Sequence, residues 1–439
     1  MRLFYFFILV FFVQHCSFDN KTNIWKNENK IFQNENKIFK DFETVSSNEK
    51  QFNKTIPIKN YKFKLIKPKK NYNWSDIYYN KTNNYINFHY NNENKFIFNS
   101  KKLTRNSTNK LSLFSQDHYI LSDDKGYLIV FSVTENQVIR KFNFYKKKFK
   151  KIKKKLNYII DNNIIYVSDN IGYVYAYDYM VDKILWAKNY KIPFSSNLKI
   201  SKNKLTLADQ NNNLYFLDKK DGNILKLIPT EEVTVKNLFI NNLSQNKNSL
   251  FFLNTYGSLY SVDLLTMKIN WFRNLNRSLN LNPSNLFSGN IIINNDDKIV
   301  ISSNDSTYIL DTYTGSILFK ENFSSNIKPI IHKNYLFLIT KNNYLISLDL
   351  STGNFIYSYD LNKKFLDFFN KKKNIKINDM MLINNKIYVF LREPLLAKIN
   401  INGNIENINK LPVKIKSSPM IIDSSILYLN LKNKITIIN

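Results

Sequence analysis

Residues 166–186 read YVSDNIGYVYAYDYMVDKILW. An apolar strand leads into a polar turn holding Gly172. A strictly alternating run, Tyr173-Val174-Tyr175-Ala176-Tyr177, follows and ends at Asp178. A second turn leads to another apolar strand that ends in Trp186. Alternation with a period of two is the mark of a strand with two unlike faces. Asp, Asn and Gly punctuate the turns because Asx side chains bond nearby amides and because Gly and Asn accept positive φ.

The unit recurs. LADQNNNLYFLDKKDGNILKL spans 207–227, FLNTYGSLYSVDLLTMKINW 252–271, ISSNDSTYILDTYTGSILF 301–319 and LITKNNYLISLDLSTGNFIY 338–357, with weaker copies from Leu121, Phe390 and Leu429. Ser132, Asp178, Asp218, Asp263, Asp311, Asp349, Asn400 and Asn439 hold one position of it, at steps of 46, 40, 45, 48, 38, 51 and 39 residues. A four-stranded blade with its turns takes about 40–50 residues, and no stretch shows sustained helical periodicity. The chain is therefore expected to be all-β, an eight-bladed β-propeller of four-stranded antiparallel blades. The last copy stops before its outer strand, which would leave an open edge. The segment Tyr72–Lys102, with Trp74 and β-like runs at Tyr85–Tyr90 and Lys95–Phe98, is expected to close the ring.

Of 439 residues, 44% are hydrophobic and 15% aromatic, which excludes wholesale disorder. One Cys excludes a disulfide framework and a Cys-rich zinc site, and four His leave little for metal chemistry. The net charge is +30, carried by 58 Lys beside 70 Asn but only 6 Arg and 4 Ala. Two causes are open: a basic surface selected for an anionic partner, or codon drift toward AT-rich residues. The densest run is Lys146–Lys155, KKKFKKIKKK. Contact with anionic lipid is its functional reading, and a solvated loop its plain one.

At the N-terminus, Arg2 precedes an apolar run from Leu3 to Val13, too short to span a bilayer and suited to a signal peptide. Cys16 follows. A lone Cys there resembles the acceptor of a bacterial lipoprotein signal, although Val13-Gln14-His15 lacks the usual small residue before it. Export removes the chain from nucleic acid. No Asp stands directly after the Cys, and that resemblance then implies a lipid anchor in the outer membrane, facing the periplasm. The expected organisation is a signal peptide at 1–15, a lipidated and flexible Asn/Lys-rich tether at 16–70, and the propeller at 71–439.

The pattern G-x-Val-x-Ala-x-Asp-x-x-x-Gly-x-x-x-Trp, best matched at Gly172–Trp186 and Gly257–Trp271, resembles the PQQ-type propeller repeat. Those two copies have Asp182 and Met267 at the second Gly. Gly222, Gly315 and Gly353 supply it in copies that lack the Trp. No Trp-Asp pair marks a WD40 repeat, and no Gly-Gly marks kelch. With the lipoprotein-like start and eight blades, residues 72–439 resemble the BamB family, lipoproteins of the outer-membrane β-barrel assembly machinery. NWSDIYYNKTNNYINFHY around Trp74 is similar to the opening of α-proteobacterial members.

The resemblance implies a non-catalytic scaffold of β-barrel assembly, binding BamA through loops of one face. Here the matching connections are roughly 229–237 and 274–284. They lack the family's Leu-x-Leu-Arg run, and Glu231, Glu232 and Arg277 are the candidate contacts by charge. Two alternatives stand: a periplasmic PQQ-dependent oxidoreductase, and a propeller that binds envelope polymer or another protein. The oxidoreductases of this repeat need Ca²⁺, a catalytic Asp, a Trp beneath the quinone and, in many, a vicinal disulfide. Asp178, Asp218, Asp263, Asp311 and Asp349 come one per blade, as turn residues do, and Trp186 and Trp271 sit at a repeated strand end. A catalytic set would converge. His89, His118 and His332 are scattered, so no catalytic residue, cofactor or metal is expected.

Overall fold

Each repeat folds as a four-stranded meander. The second and third strands carry the longest apolar runs because both faces of a blade pack against neighbouring blades. Lys204–Ala208 and Tyr335–Ile339 are buried throughout, whereas the outer strand Ile224–Ile228 is exposed over all but its last residue. The computed structural model describes residues 52–146, 149–233, 240–276, 291–303, 306–369 and 375–439, with the backbone alone at 16–19, 24–27 and 367–369. Two units divide the chain, 1–51 and 52–439. In the first, Cys16–Asp19 pairs antiparallel with Ile24–Asn27.

The second unit holds eight four-stranded antiparallel sheets. Blade 2 illustrates them, with strands Leu156–Asp161, Ile164–Asp169, Tyr173–Asp178 and Lys183–Asn189. First strands of successive blades lie side by side and line the axis. In chain order the first five are Leu113–Ser115, Leu156–Asp161, Lys199–Ser201, Asn242–Gln245 and Ile293–Asn294. Ile330–His332, Ile377–Ile383 and Met420–Ile422 complete the circle. In blades 1 to 7 the pairing of third and fourth strands slips at one equivalent place, as between Ala176 and Tyr177. A bulge there adds twist to the outer edge.

Blade 8 consists of Met420–Ile422, Ser425–Leu429 and Ile435–Ile438, completed by Phe96–Asn99 from the other end of the sequence. The ring thus closes within the expected segment. Tyr85–Tyr90 forms no strand, however, because it runs into the ring axis. The tether reading also needs correction, since its final part is packed. Ile56 bonds the outer edge of blade 6 through Ser358, and Phe63 packs against Tyr335 and Phe337. Tyr61 donates to Asp349 at 3.1 Å, and the Ile66 amide donates to His332 Nε2 at 2.9 Å. The helix α1 (Leu361–Phe369) lies in the connection from blade 6 to blade 7. Among the described residues no helix is long and apolar enough to cross a membrane.

Candidate functional site: the ring axis and the connection face

A ring of blades leaves a central channel, and residues 69–91 of this chain occupy it, touching all eight innermost strands. Trp74 exchanges backbone hydrogen bonds with Phe114 of blade 1, and the Ile160 amide of blade 2 donates to Ser75. Lys199 of blade 3 pairs with Asp76 at 2.7 Å. The Asn83 amide group donates to the carbonyls of Leu243 in blade 4 and Ile292 beside the blade 5 strand, at 2.9 and 2.8 Å. Asn84 donates to Ile331 of blade 6, Phe88 to Leu382 of blade 7, and Asn71 to Ile421 of blade 8. Side-chain amides suit this task because one Asn both donates and accepts, and carbonyls turned toward the axis otherwise lack partners.

The inserted loop has its own core, in which Trp74, Tyr79, Tyr85 and Phe88 pack with ring centroids 4.7–5.9 Å apart. Four buried charges surround it. Lys199 and Asp76 form an ion pair, and Asp76 also accepts the Tyr78 amide. Lys328 donates to the Tyr78 carbonyl at 3.0 Å and lies over the Tyr85 ring. Burial pushes Asp379 up to about 6, against the pull of Lys328, and pushes Lys328 well below the usual lysine range. A cavity of about 130 Å³ remains, floored by Trp74, Ile77, Tyr78 and Tyr85 and lined by Lys328 and Asp379. That volume is too small for a drug-sized ligand.

Antiparallel strands give the ring two unlike faces. One carries the turns between first and second and between third and fourth strands. The other carries the remaining turns and every connection between blades, and is called the connection face below. The repeated Asp residues lie on the turn face. Asp178 accepts the amides of Met180 and Val181, Asp263 those of Leu265 and Thr266, and Asp311 those of Tyr313 and Thr314; Asp218 and Asp349 do the same for Lys220 and Ser351. These bonds hold the carboxyls of Asp263, Asp311 and Asp349 below the usual range, against partial burial at the last two. A second series escaped sequence reading. Asp169 and Asp209 organise the turns between second and third strands, accepting three and two backbone amides, and burial pushes both carboxyls up.

Trp186 donates its indole N–H to the Lys219 carbonyl of the next blade at 2.8 Å, and Trp271 donates to Thr312 at 3.1 Å. Both rings serve the seams between blades. Of the candidate contacts, Glu232 is exposed. Glu231 has an internal task, accepting Ser258, Tyr260 and Asn254 at 2.6, 2.8 and 2.7 Å, which together hold its carboxyl below the usual range despite burial. Arg277 lies outside the described residues, as do residues 1–15 and the Cys16 side chain. The structure does not bring His89, His118 and His332 together: they bond Ser424, Tyr179 and Ile66 respectively.

Residues 141–359 match the family described as outer membrane protein assembly factor BamB. The crystal structure of BamB from Moraxella catarrhalis is similar, with a TM-score of 0.60 and 13% identity over 79% of this chain and 99% of that one. A quinohemoprotein alcohol dehydrogenase from Comamonas testosteroni shares the fold at a TM-score of 0.61 and 8% identity, over 83% of this chain and 80% of that one. A europium-containing methanol dehydrogenase does so at 0.59 and 11%, over 83% and 89%. No curated protein matches by sequence. At such identities the likeness speaks for the ring alone. With its repeat, its eight blades and the match over 141–359, the chain is similar to the PQQ-like β-propeller repeat proteins of the family described as outer membrane protein assembly factor BamB.

Proposed function

We propose that the chain is a non-catalytic scaffold of outer-membrane β-barrel assembly, exported, lipid-anchored through Cys16 and facing the periplasm, and that it binds BamA through loops of the connection face. One observation carries this reading beyond the family match. The channel is occupied by the chain's own residues 69–91, which leave a cavity of only about 130 Å³. What remains for recognition is surface, and loops on a rigid frame are where binding concentrates. The connection 229–237 is a candidate, with exposed Glu232 meeting the partner and Glu231 fixing the loop from beneath. The connection that holds Arg277 is the second, and the exposed lysines of Lys146–Lys155 are assigned to anionic lipid.

Pull-down of the anchored protein from envelope membranes after crosslinking tests the assignment. BamA should be recovered, less of it with Glu232→Lys and Arg277→Glu together. A wild type that recovers no BamA defeats the partner, while the propeller stands. Cys16→Ser should move the protein from the membrane to the soluble periplasmic fraction.

A further inference from the structure

Codon drift adds lysines without regard to which side of a ring they reach, yet the two faces here differ. On the turn face, cations stand among carboxylates: Lys219 pairs with Asp161, and Lys220 follows Asp218 and precedes Asp221. On the connection face over blades 8, 1 and 2, Lys102, Arg105, Lys141, Lys151, Lys153 and Lys155 are exposed and make no ion pair with a described carboxylate. The sector's own acids are drawn inward, Asp123 buried against Thr104 and Asn106 and Asp124 half-buried. Lys102, Arg105 and Lys141 line one groove of about 560 Å³ at the seam where blade 8 meets blade 1, with Tyr127 beneath the Lys141 ammonium. Exposed Lys125, in the turn of blade 1, links that groove to the Lys146–Lys155 connection, where Tyr145 packs over Gly126.

Two apolar side chains project from the same sector. Ile152 is 45% exposed between Lys151 and Lys153, and Leu431 is 56% exposed beside exposed Lys432. An acidic polymer answers the cations alone and leaves the aliphatic tips in water. A lipid surface takes both, with head-group charge for the cations and the acyl boundary for the tips.

We propose that this sector, from the Lys102–Arg105–Lys141 groove to the Ile152 tip, docks on an anionic lipid surface and turns the connection face of the ring toward the membrane. This extends the lipid contact proposed for Lys146–Lys155 and is independent of BamA. Each cation near an anionic surface contributes roughly fivefold in affinity, screened by salt.

The test is flotation of the full chain carrying Cys16→Ser, so that no acyl chain enters. The vesicles are phosphatidylethanolamine with phosphatidylglycerol, three to one, or phosphatidylcholine alone. Any pull of the apolar N-terminus is common to both. Binding should favour the anionic vesicles and weaken with salt. Lys102→Gln, Arg105→Gln and Lys153→Gln together should lower it roughly a hundredfold, whereas Lys202→Gln, Lys220→Gln and Lys268→Gln on the turn face should leave it unchanged. If the first triple variant fails to fold by circular dichroism, Lys151→Gln with Lys153→Gln should lose about twenty-fivefold. Equal binding to both vesicles overturns the proposal, and so do equal losses on the two faces. Binding to heparin without binding to anionic vesicles also overturns it and assigns the sector to an acidic polymer.

Discussion

The indole of Trp186 lies over Gly222 of the following blade, so close that a methyl group on that glycine would come within 2.7 Å of the ring. Gly222 has φ +73, the left-handed region that L side chains rarely adopt. The relation repeats around the ring, with Trp271 over Gly315, Phe319 over Gly353 and Tyr359 over Gly403. Arg140 holds the position of Trp186 in blade 1 and instead donates to the carbonyls of Tyr179 and Met180 in blade 2. The turn receiving it carries Asp182 where the four turns just named have Gly.

Gly222→Ala should therefore cost about 2–3 kcal/mol, from left-handed backbone strain and overpacking together. Urea denaturation measures it. Trp186→Leu in the same chain should return part of the loss, since the two residues touch. Additive losses in the double variant would contradict the seam.

Truncation should resolve in steps. Removing residues up to 51 should leave the melting temperature where it is. Removing them up to 91 takes away the axial loop and the packed segment before it, and should lower the temperature by more than about 10 °C. Removing them up to 102 also strips blade 8 of Phe96–Asn99 and should abolish cooperative melting. Equal melting after the first two cuts would show that the axial loop adds nothing to the ring.

The ion pair between Lys199 and Asp76 is almost wholly buried. Asp76→Asn keeps an acceptor for the Tyr78 amide but leaves the ammonium without its counter-charge, at a cost of about 3–5 kcal/mol. Lys199→Met in the same chain should recover much of that. A double variant weaker than Asp76→Asn alone would mean that the ammonium holds the loop through Asn80 and Asn83 instead.

Burial holds His332 neutral, its pKa down to about 4, with Nε2 free to accept the Ile66 amide. The unfolded chain takes up that proton near 6.5. Between these values the unfolded state binds more protons, so this contribution is present above 6.5 and is lost as pH falls toward 4. A loss of about 3 kcal/mol is expected across that window. His332→Gln retains an acceptor and should flatten this part of the profile in denaturation at stepped pH.

The ring was legible because it is written many times. Asp178 and its equivalents marked the blades, and the glycines that Trp186 and Trp271 meet, Gly222 and Gly315, stand in the next copy, so no single copy shows the pair. The axial loop is written once. Asn71, Asn83 and Asn84 are common residues here, and only their fit to eight different strands sets them apart. Alternation at Tyr61, Phe63 and Leu65 was a true strand-like signal, masked by the lysines between them. Glu231 was drawn out by its charge, whereas its partners, Asn254, Ser258 and Tyr260, belong to the next repeat and could not be paired with it from spacing.

The loop along the axis also dictates when the molecule can become itself. Ser100 bonds Ile435, 335 positions away, and the axial residues need partners from every blade, the last included. The earliest part of the chain to be made must wait for the latest. The blades made first therefore stay without a hub until the final one arrives. Contacts of such long range make for slow folding, and here the inner loop and the ring can settle only together, once the eighth blade exists.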